Sequence, residues 1–215
     1  MKATVNGRQI ELEPNSKPYL LKRIVADGAD TFLIFALFMV FTMLIMNTSL
    51  AETYHRHFDR YTSIENAVKE AYASDPDAIG AALRGNSEYQ DEWFAANLHG
   101  YLLKAAACFL AETAVLLLVP LLNRRRATPG KLMSGIMAFN ERRQSRMTWY
   151  QVIFRFLFVL LIDSLSLYLI TGVLTFLLVP VLRLTEMLLN KKNNTICDFI
   201  TGITMIETLS YDGIN

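Results

Sequence analysis

The chain has 215 residues, of which 53% are hydrophobic and 11% aromatic, and its formal net charge is +1. A mean hydropathy of +0.27 is high for a soluble domain and ordinary for a chain that crosses a membrane several times. Bulk charge argues against a nucleic-acid partner, no cofactor signature is visible, and the two cysteines, Cys108 and Cys197, fall in segments too different in character for a disulfide framework.

Residues 1–18 place Asn6-Gly7 between two short β-prone runs, the strongest short-range hairpin signal. Residues 19–50 form a first span: the run from Phe32 to Met46 is strongly apolar, and with the turn from Ala26 it reaches the roughly 20 residues that crossing requires. Ser49-Leu50-Ala51 mimics a signal-peptide cleavage site. The region before the apolar run is about thirty residues long and carries Asp27 and Asp30, whereas a signal peptide has a short basic start, so an uncleaved span is expected.

Residues 51–97 are polar and rich in acids, and they read as an external insert of two or three short amphipathic helices, one starting at Ser74-Asp75-Pro76. His55, His57 and Asp59 lie close in sequence but have no further ligand at matching spacing, so they read as solvated surface and no metal is expected. A second span over 98–122 stops at Asn123-Arg124-Arg125-Arg126. The basic loop 123–150, which adds Lys131, Arg142, Arg143 and Arg146 against Glu141 alone, is cytoplasmic by the positive-inside rule.

Residues 151–190 are too long for one straight helix, about 55 Å against a bilayer core of about 30 Å. Two short spans or a re-entrant hairpin, broken near Asp163-Ser164 or Thr171-Gly172, return the chain to its starting side, where 191–215 form a tail. Gly135-Ile136-Met137-Ala138-Phe139 and Gly202-Ile203-Thr204-Met205-Ile206 are both short strand-like runs, and they can pair only on one side of the membrane. The expected fold is an all-α membrane protein with one domain over 1–215: a helical bundle of about four hydrophobic passes, a small cytoplasmic β-rich cap built from hairpin, loop and tail, and an external helical insert.

Arg23, Asp27 and Asp30 stand at i, i+4 and i+7, which puts them on one face at the start of span one. Charges at a span end reach water by snorkelling, which accounts for Arg23 and Asp27. Asp30 lies a turn deeper, where an isolated carboxylate costs about 2.5–3.5 kcal/mol, so it should face the bundle and have a partner. Glu112, near the middle of span two, is either a candidate for ion or proton handling or a neutral acid bonded to a neighbouring helix. Asp163 and Arg155 either pair with those acids across the bundle or mark an interfacial helix and its turn. Thr128-Pro129-Gly130-Lys131 reads as a short turn without the glycine spacing of a P-loop, and with no nucleophile–base arrangement in view no enzyme is expected.

These residues together resemble the RDD family of bacterial membrane proteins. Arg23-Ile24-Val25-Ala26-Asp27-Gly28-Ala29-Asp30 resembles its opening R-x-x-A-x-x-x-D. Thr128-Pro129-Gly130-Lys131 with Gly135 resembles the middle T-P-G-K-x-x-x-G, Arg155 matches the arginine opening the next helix, and Asp198 with Gly202 resembles the closing D-x-x-x-G. Cys197, Ile203 and Phe156 depart from the family's usual histidine, threonine and polar residue. The resemblance implies a multi-pass protein of the bacterial cytoplasmic membrane with a cytoplasmic N-terminus, suspected of moving an ion, a proton or a small ligand. It also implies an ion-paired node of Arg23, Asp30 and Asp198. The candidate ion or proton path, Glu112, Asp163 and Asp27, is read instead from acids placed in or beside the spans. Expected partners are the lipid bilayer and further copies of the chain; the alternative is a scaffold or assembly factor that binds a partner protein or anionic lipid.

Overall fold

The computed structural model describes residues 2–5, 8–11, 17–140, 143, 145–165, 168, 172–190 and 194–207. Helix dominates, as the apolar runs require, because in hydrocarbon every backbone N–H and C=O must be satisfied within the protein. Helix α1 is Lys17–Met46. After α2 (Glu52–Ala71) and α3 (Pro76–Gly85) comes α4 (Ser87–Glu112), which continues through a π-helical stretch, Thr113–Leu118, into α5 (Val119–Leu122).

Two helices are long and apolar enough to cross a bilayer, Leu20–Met46 and Ser87–Leu122. Exposed Phe32, Met39 and Met43 on the first, and Leu102, Phe109 and Leu118 on the second, give the apolar outer surfaces that lipid contact calls for. The second helix runs unbroken through position 97, where the sequence suggests that an insert gives way to a span. Its 36 residues measure about 54 Å, roughly 24 Å more than the hydrocarbon layer. The widened stretch has a local cause: Pro120 has no N–H to give the preceding turn, and a looser register there relieves its ring.

The chain divides into two compact units, Phe38–Cys108 and Met1–Leu37 with Phe109–Asn215. In the first, α2 lies antiparallel to α4: Tyr54 packs over Gly100, His57 bonds Glu92, and Tyr61 meets Tyr89 edge-on. Asp75 caps α3 by accepting from Ala78 N at 3.3 Å, with Pro76 at the first helical position.

In the second unit, α6 (Pro129–Met133) leads into β3 (Ile136–Asn140), followed by β4 (Ser145–Arg146), α7 (Trp149–Phe158) and a π-helical continuation over Val159–Leu165. Gly172, at φ +58°, precedes α8 (Thr175–Leu189), so residues 151–190 are not one helix. Helix α9 (Ile196–Thr201) and β5 (Ile203–Glu207) follow. The two glycine-led runs do pair: β3 and β5 are antiparallel, from Ile136↔Glu207 to Asn140↔Ile203, in a sheet of order β4-β3-β5. The N-terminal strands β1 (Lys2–Val5) and β2 (Arg8–Glu11) pair with each other in a separate two-stranded sheet, which corrects the expectation of one cap shared by hairpin, loop and tail. Ala138, Met147, Val152, Ile203 and Met205 form the core between the larger sheet and α7, with Leu117 and Leu121 packed against it.

One plan occurs twice in this unit. Thr128 precedes α6, which ends at Gly135 (φ +64°) and turns into β3; Thr195 precedes α9, which ends at Gly202 (φ +64°) and turns into β5. Each glycine holds the left-handed conformation that lets a helix stop and its chain reverse.

Candidate functional site

The first four turns of α1 carry Arg23, Ala26, Asp27 and Asp30 along one face, and Arg23, Ala26 and Asp30 are each at most 2% exposed. Arg23 Nη2 donates to Asp198 Oδ2 at 2.6 Å. Arg155, from α7, donates to the other oxygen of the same carboxylate. Asp198 thus joins α1, α7 and α9, and it is held in place by a local device. It occupies the third position of α9, accepts from Thr195 N at 3.2 Å, and gives its own N–H to Thr195 Oγ1 at 3.2 Å, a reciprocal capping box.

Burial alone would raise the Asp198 carboxyl, but Arg155, Arg23 and then Lys131 outweigh it and hold the group well below the usual carboxylate range. Asp198 is therefore ionised in the folded protein at any ordinary pH.

Asp30 has a different environment. Its carboxylate accepts from Thr128 Oγ1 and, at 2.7 Å, from Gly130 N at the start of α6. Thr128-Pro129-Gly130-Lys131 is therefore the opening of a short helix rather than a turn, with Asp30 satisfying its first N–H, that of Gly130, from outside. The close approach explains two small residues: a Cβ on Gly130 would run into the Ala26 carbonyl oxygen, and Ala26 itself is fully buried. The node suggested by the resemblance is thus two adjoining clusters, one closed on Asp198 by Arg23 and Arg155, the other closed on Asp30 by the α6 start.

Between the two clusters lies a cavity of about 50 Å³, lined by Asp27, Asp30, Lys131, Arg155, Arg183 and Glu186 among others. A water needs roughly 10–15 Å³ of such space, so the cavity admits a few waters or a small ion. Lys131 is 9% exposed. Among the described residues neither its ammonium nor the Asp27 carboxylate has a hydrogen-bond or ion-pair partner. Burial pushes the Lys131 ammonium down from the usual lysine range and Arg155 adds to this, while Asp27, Asp30 and Asp198 pull the other way without cancelling it.

Glu112 is buried at the point where its helix widens, and Leu116, one turn further, lines the cavity. The Asp163 side chain lies outside the described residues. Arg155, which sequence reading allowed to pair with Asp30 or Glu112 across the bundle, is on Asp198 instead. Sequence reasoning missed Thr128, Thr195 and Gln151. Gln151 Nε2 donates to Thr201 O at 3.0 Å and its Oε1 accepts from Thr148 N at 2.9 Å, so it ties α7 to α9. The patterns Thr148-x-x-Gln151 and Thr195-x-x-Asp198 were the available signals, since both match the spacing of a capping box. The sequence marked Arg183 only as one of the basic residues, with Lys191 and Lys192, at the exit of the 151–190 stretch, and it did not mark Glu186. In the other unit, His57 bonds Glu92 at 2.5 Å, and Arg60 bonds the same carboxylate at 3.0 Å. Among the described residues no group of three or more His, Cys, Asp or Glu side chains is placed to hold a metal.

No curated protein and no solved structure matches the chain. The family model described as RDD family matches residues 17–202, from the first helix that bears Arg23 to the glycine that ends α9. With its apolar helices and the arginine–aspartate node at their end, the chain belongs to the RDD family of membrane-associated proteins.

Proposed function

We propose that the chain is a multi-pass protein of the bacterial cytoplasmic membrane, without enzymatic activity, that passes a proton or a small cation through the cavity between the two clusters. The observation that carries this reading is a buried lysine ammonium and an aspartate carboxylate that line one small cavity and attract each other, neither of them, among the described residues, locked in a hydrogen bond or a direct ion pair. A charged group kept in such a place without a direct partner costs stability, and the usual reason to keep one is that it takes up and releases an ion.

The orientation follows from charge. Residues 123–150 carry the basic excess and the 51–97 insert the acidic one, so the node, α6 and the N-terminus belong on the cytoplasmic side. Four passes then come from the two long helices and the two pieces of 151–190, and Glu112 lies on the route from the cavity towards the insert.

The test is flux in proteoliposomes, followed with a pH-sensitive or sodium-sensitive dye. Lys131→Met and Asp27→Asn each reduce flux more than about tenfold, the effect of roughly 1.4 kcal/mol at a limiting step. Lys131→Met also keeps or raises the thermal midpoint, because burial and the nearby Arg155 outweigh the attraction of Asp27, Asp30 and Asp198 for the charge it removes. Native protein that moves neither protons nor sodium would overturn the reading.

A scaffold or assembly factor is the second reading, favoured by the saturation of Asp198: both its oxygens are taken by arginines, as a latch requires and a cation ligand does not. It predicts no flux, with Asp198 substitutions acting on folding alone.

A further inference from the structure

Helix α9 belongs to neither long apolar helix, yet its outward face is wholly apolar. It buries Cys197 and Asp198 and exposes Ile196, Phe199 and Ile200. Beside it, α7 exposes Trp149, Tyr150, Phe154 and Leu157. Together they wall an open groove of about 580 Å³, formed by Trp149, Tyr150, Ile153, Phe154, Leu157 and Ile200, with only Gln151 and Thr201 as polar lining. Trp149 and Tyr150 stack at 3.4 Å at one end, in the amphipathic pairing favoured at the level of lipid headgroups.

Positive charge stands at that same end. Arg146 is three residues before Trp149, hence within about 11 Å of it by chain geometry. Its Nη1 donates to Arg124 O at 3.1 Å, which fixes the turn bearing Arg124, Arg125 and Arg126 alongside. The turn is ordered for this purpose: Asn123 Oδ1 accepts from Arg125 N at 2.7 Å, Arg126 takes a left-handed φ of +52°, and Arg124 and Arg146 are left exposed. A non-glycine residue in that conformation costs energy and is retained where the surrounding turn requires it.

We propose that this groove and turn form a binding site for an anionic phospholipid, with an acyl chain along α7 and α9 and the phosphate at Arg124 and Arg146. An apolar groove beside clustered guanidinium groups matches that ligand in both halves: a soluble phosphate would engage only the charged half, and the phosphate of a zwitterionic lipid is offset by its own cation. The site is independent of whether the chain transports anything.

The chain has two tryptophans. With Trp93→Phe as background, which alters an exposed side chain, Trp149 fluorescence reports on the groove alone. Brominated phosphatidylglycerol, mixed into phosphatidylcholine vesicles holding the full chain, should quench Trp149 with roughly fivefold preference over brominated phosphatidylcholine, the bias expected of one well-placed arginine. Arg124→Gln and Arg146→Gln should each shrink that preference, and together they should abolish it while quenching by brominated phosphatidylcholine persists. Equal quenching by the two lipids in the native chain would overturn the proposal, as would the absence of quenching by either. Quenching that inorganic phosphate displaces would show a plain anion site and count against it equally.

Discussion

Asp198→Asn is expected to cost roughly 3–5 kcal/mol of folding stability, the range found when one member of a buried ion pair is removed. The side chain keeps its volume, so no cavity opens, but the buried Arg23 and the part-buried Arg155 are then left against an amide that cannot offset two positive charges. The check is a thermal midpoint in detergent. A second variant separates charge from shape: adding Arg155→Gln to Asp198→Asn should recover a measurable part of the loss, because it removes one of the two uncompensated guanidinium groups. A drop below about 1 kcal/mol for the single variant would show that the node does not hold the three helices together.

The same carboxylate sets an acid limit. Its folded value lies below its unfolded one, so the native state binds fewer protons and stability rises with pH across the interval between the two. The contribution of Asp198 is complete above the ordinary aspartate value of 3.8 and is lost as pH falls below it towards the depressed folded value. The thermal midpoint of the native chain should therefore fall more steeply below about pH 4 than that of Asp198→Asn, which has no such group to protonate.

Gly130→Ala is the second large effect. The new methyl meets the Ala26 carbonyl oxygen and comes within 2.9 Å of Asp30 Oδ1. Backbone of α1 cannot give way as a flexible side chain would, so α6 has to lift off the helix. That movement breaks the Gly130 N–Asp30 bond and the Thr128–Asp30 bond together. Overpacking costs about 1–3 kcal/mol, and a buried carboxylate stripped of donors about 1–3 more. The control is Gly28→Ala on α1, where a methyl meets nothing within 4 Å and Ala should stabilise by roughly 0.5–1 kcal/mol. Similar midpoints for the two variants would rule out the close contact between α1 and α6.

Hydropathy and glycine placement made much of this architecture legible. Two apolar runs became the two long helices, Asp75 and Pro76 marked the start of α3, and two glycine-led strand runs announced the β3–β5 pairing. Partner choice was not legible, for a physical reason. A spacing of i, i+4, i+7 says which residues share a face, but what stands opposite depends on how distant segments return. Thus Arg23 and Asp30 sit two turns apart on α1, yet one meets Asp198 and the other the start of α6. Resemblance supplied Asp198 as a member of the node, a long-range role that its capping-box spacing does not state. The unbroken passage from insert to span was hidden because polarity changes near position 97 while helix propensity does not, and a helix needs only the latter to continue.

Arg23 and Asp198 are 175 positions apart. At a ribosome that adds some 5–20 residues each second, the first arginine waits roughly ten seconds or more beside the membrane before its acid exists. Arg155 is made in that interval too, and the strand that completes the sheet follows Asp198. The node can close only after both arginines have waited for their acid, and a chain cut short before Thr195 leaves those two guanidinium groups without it.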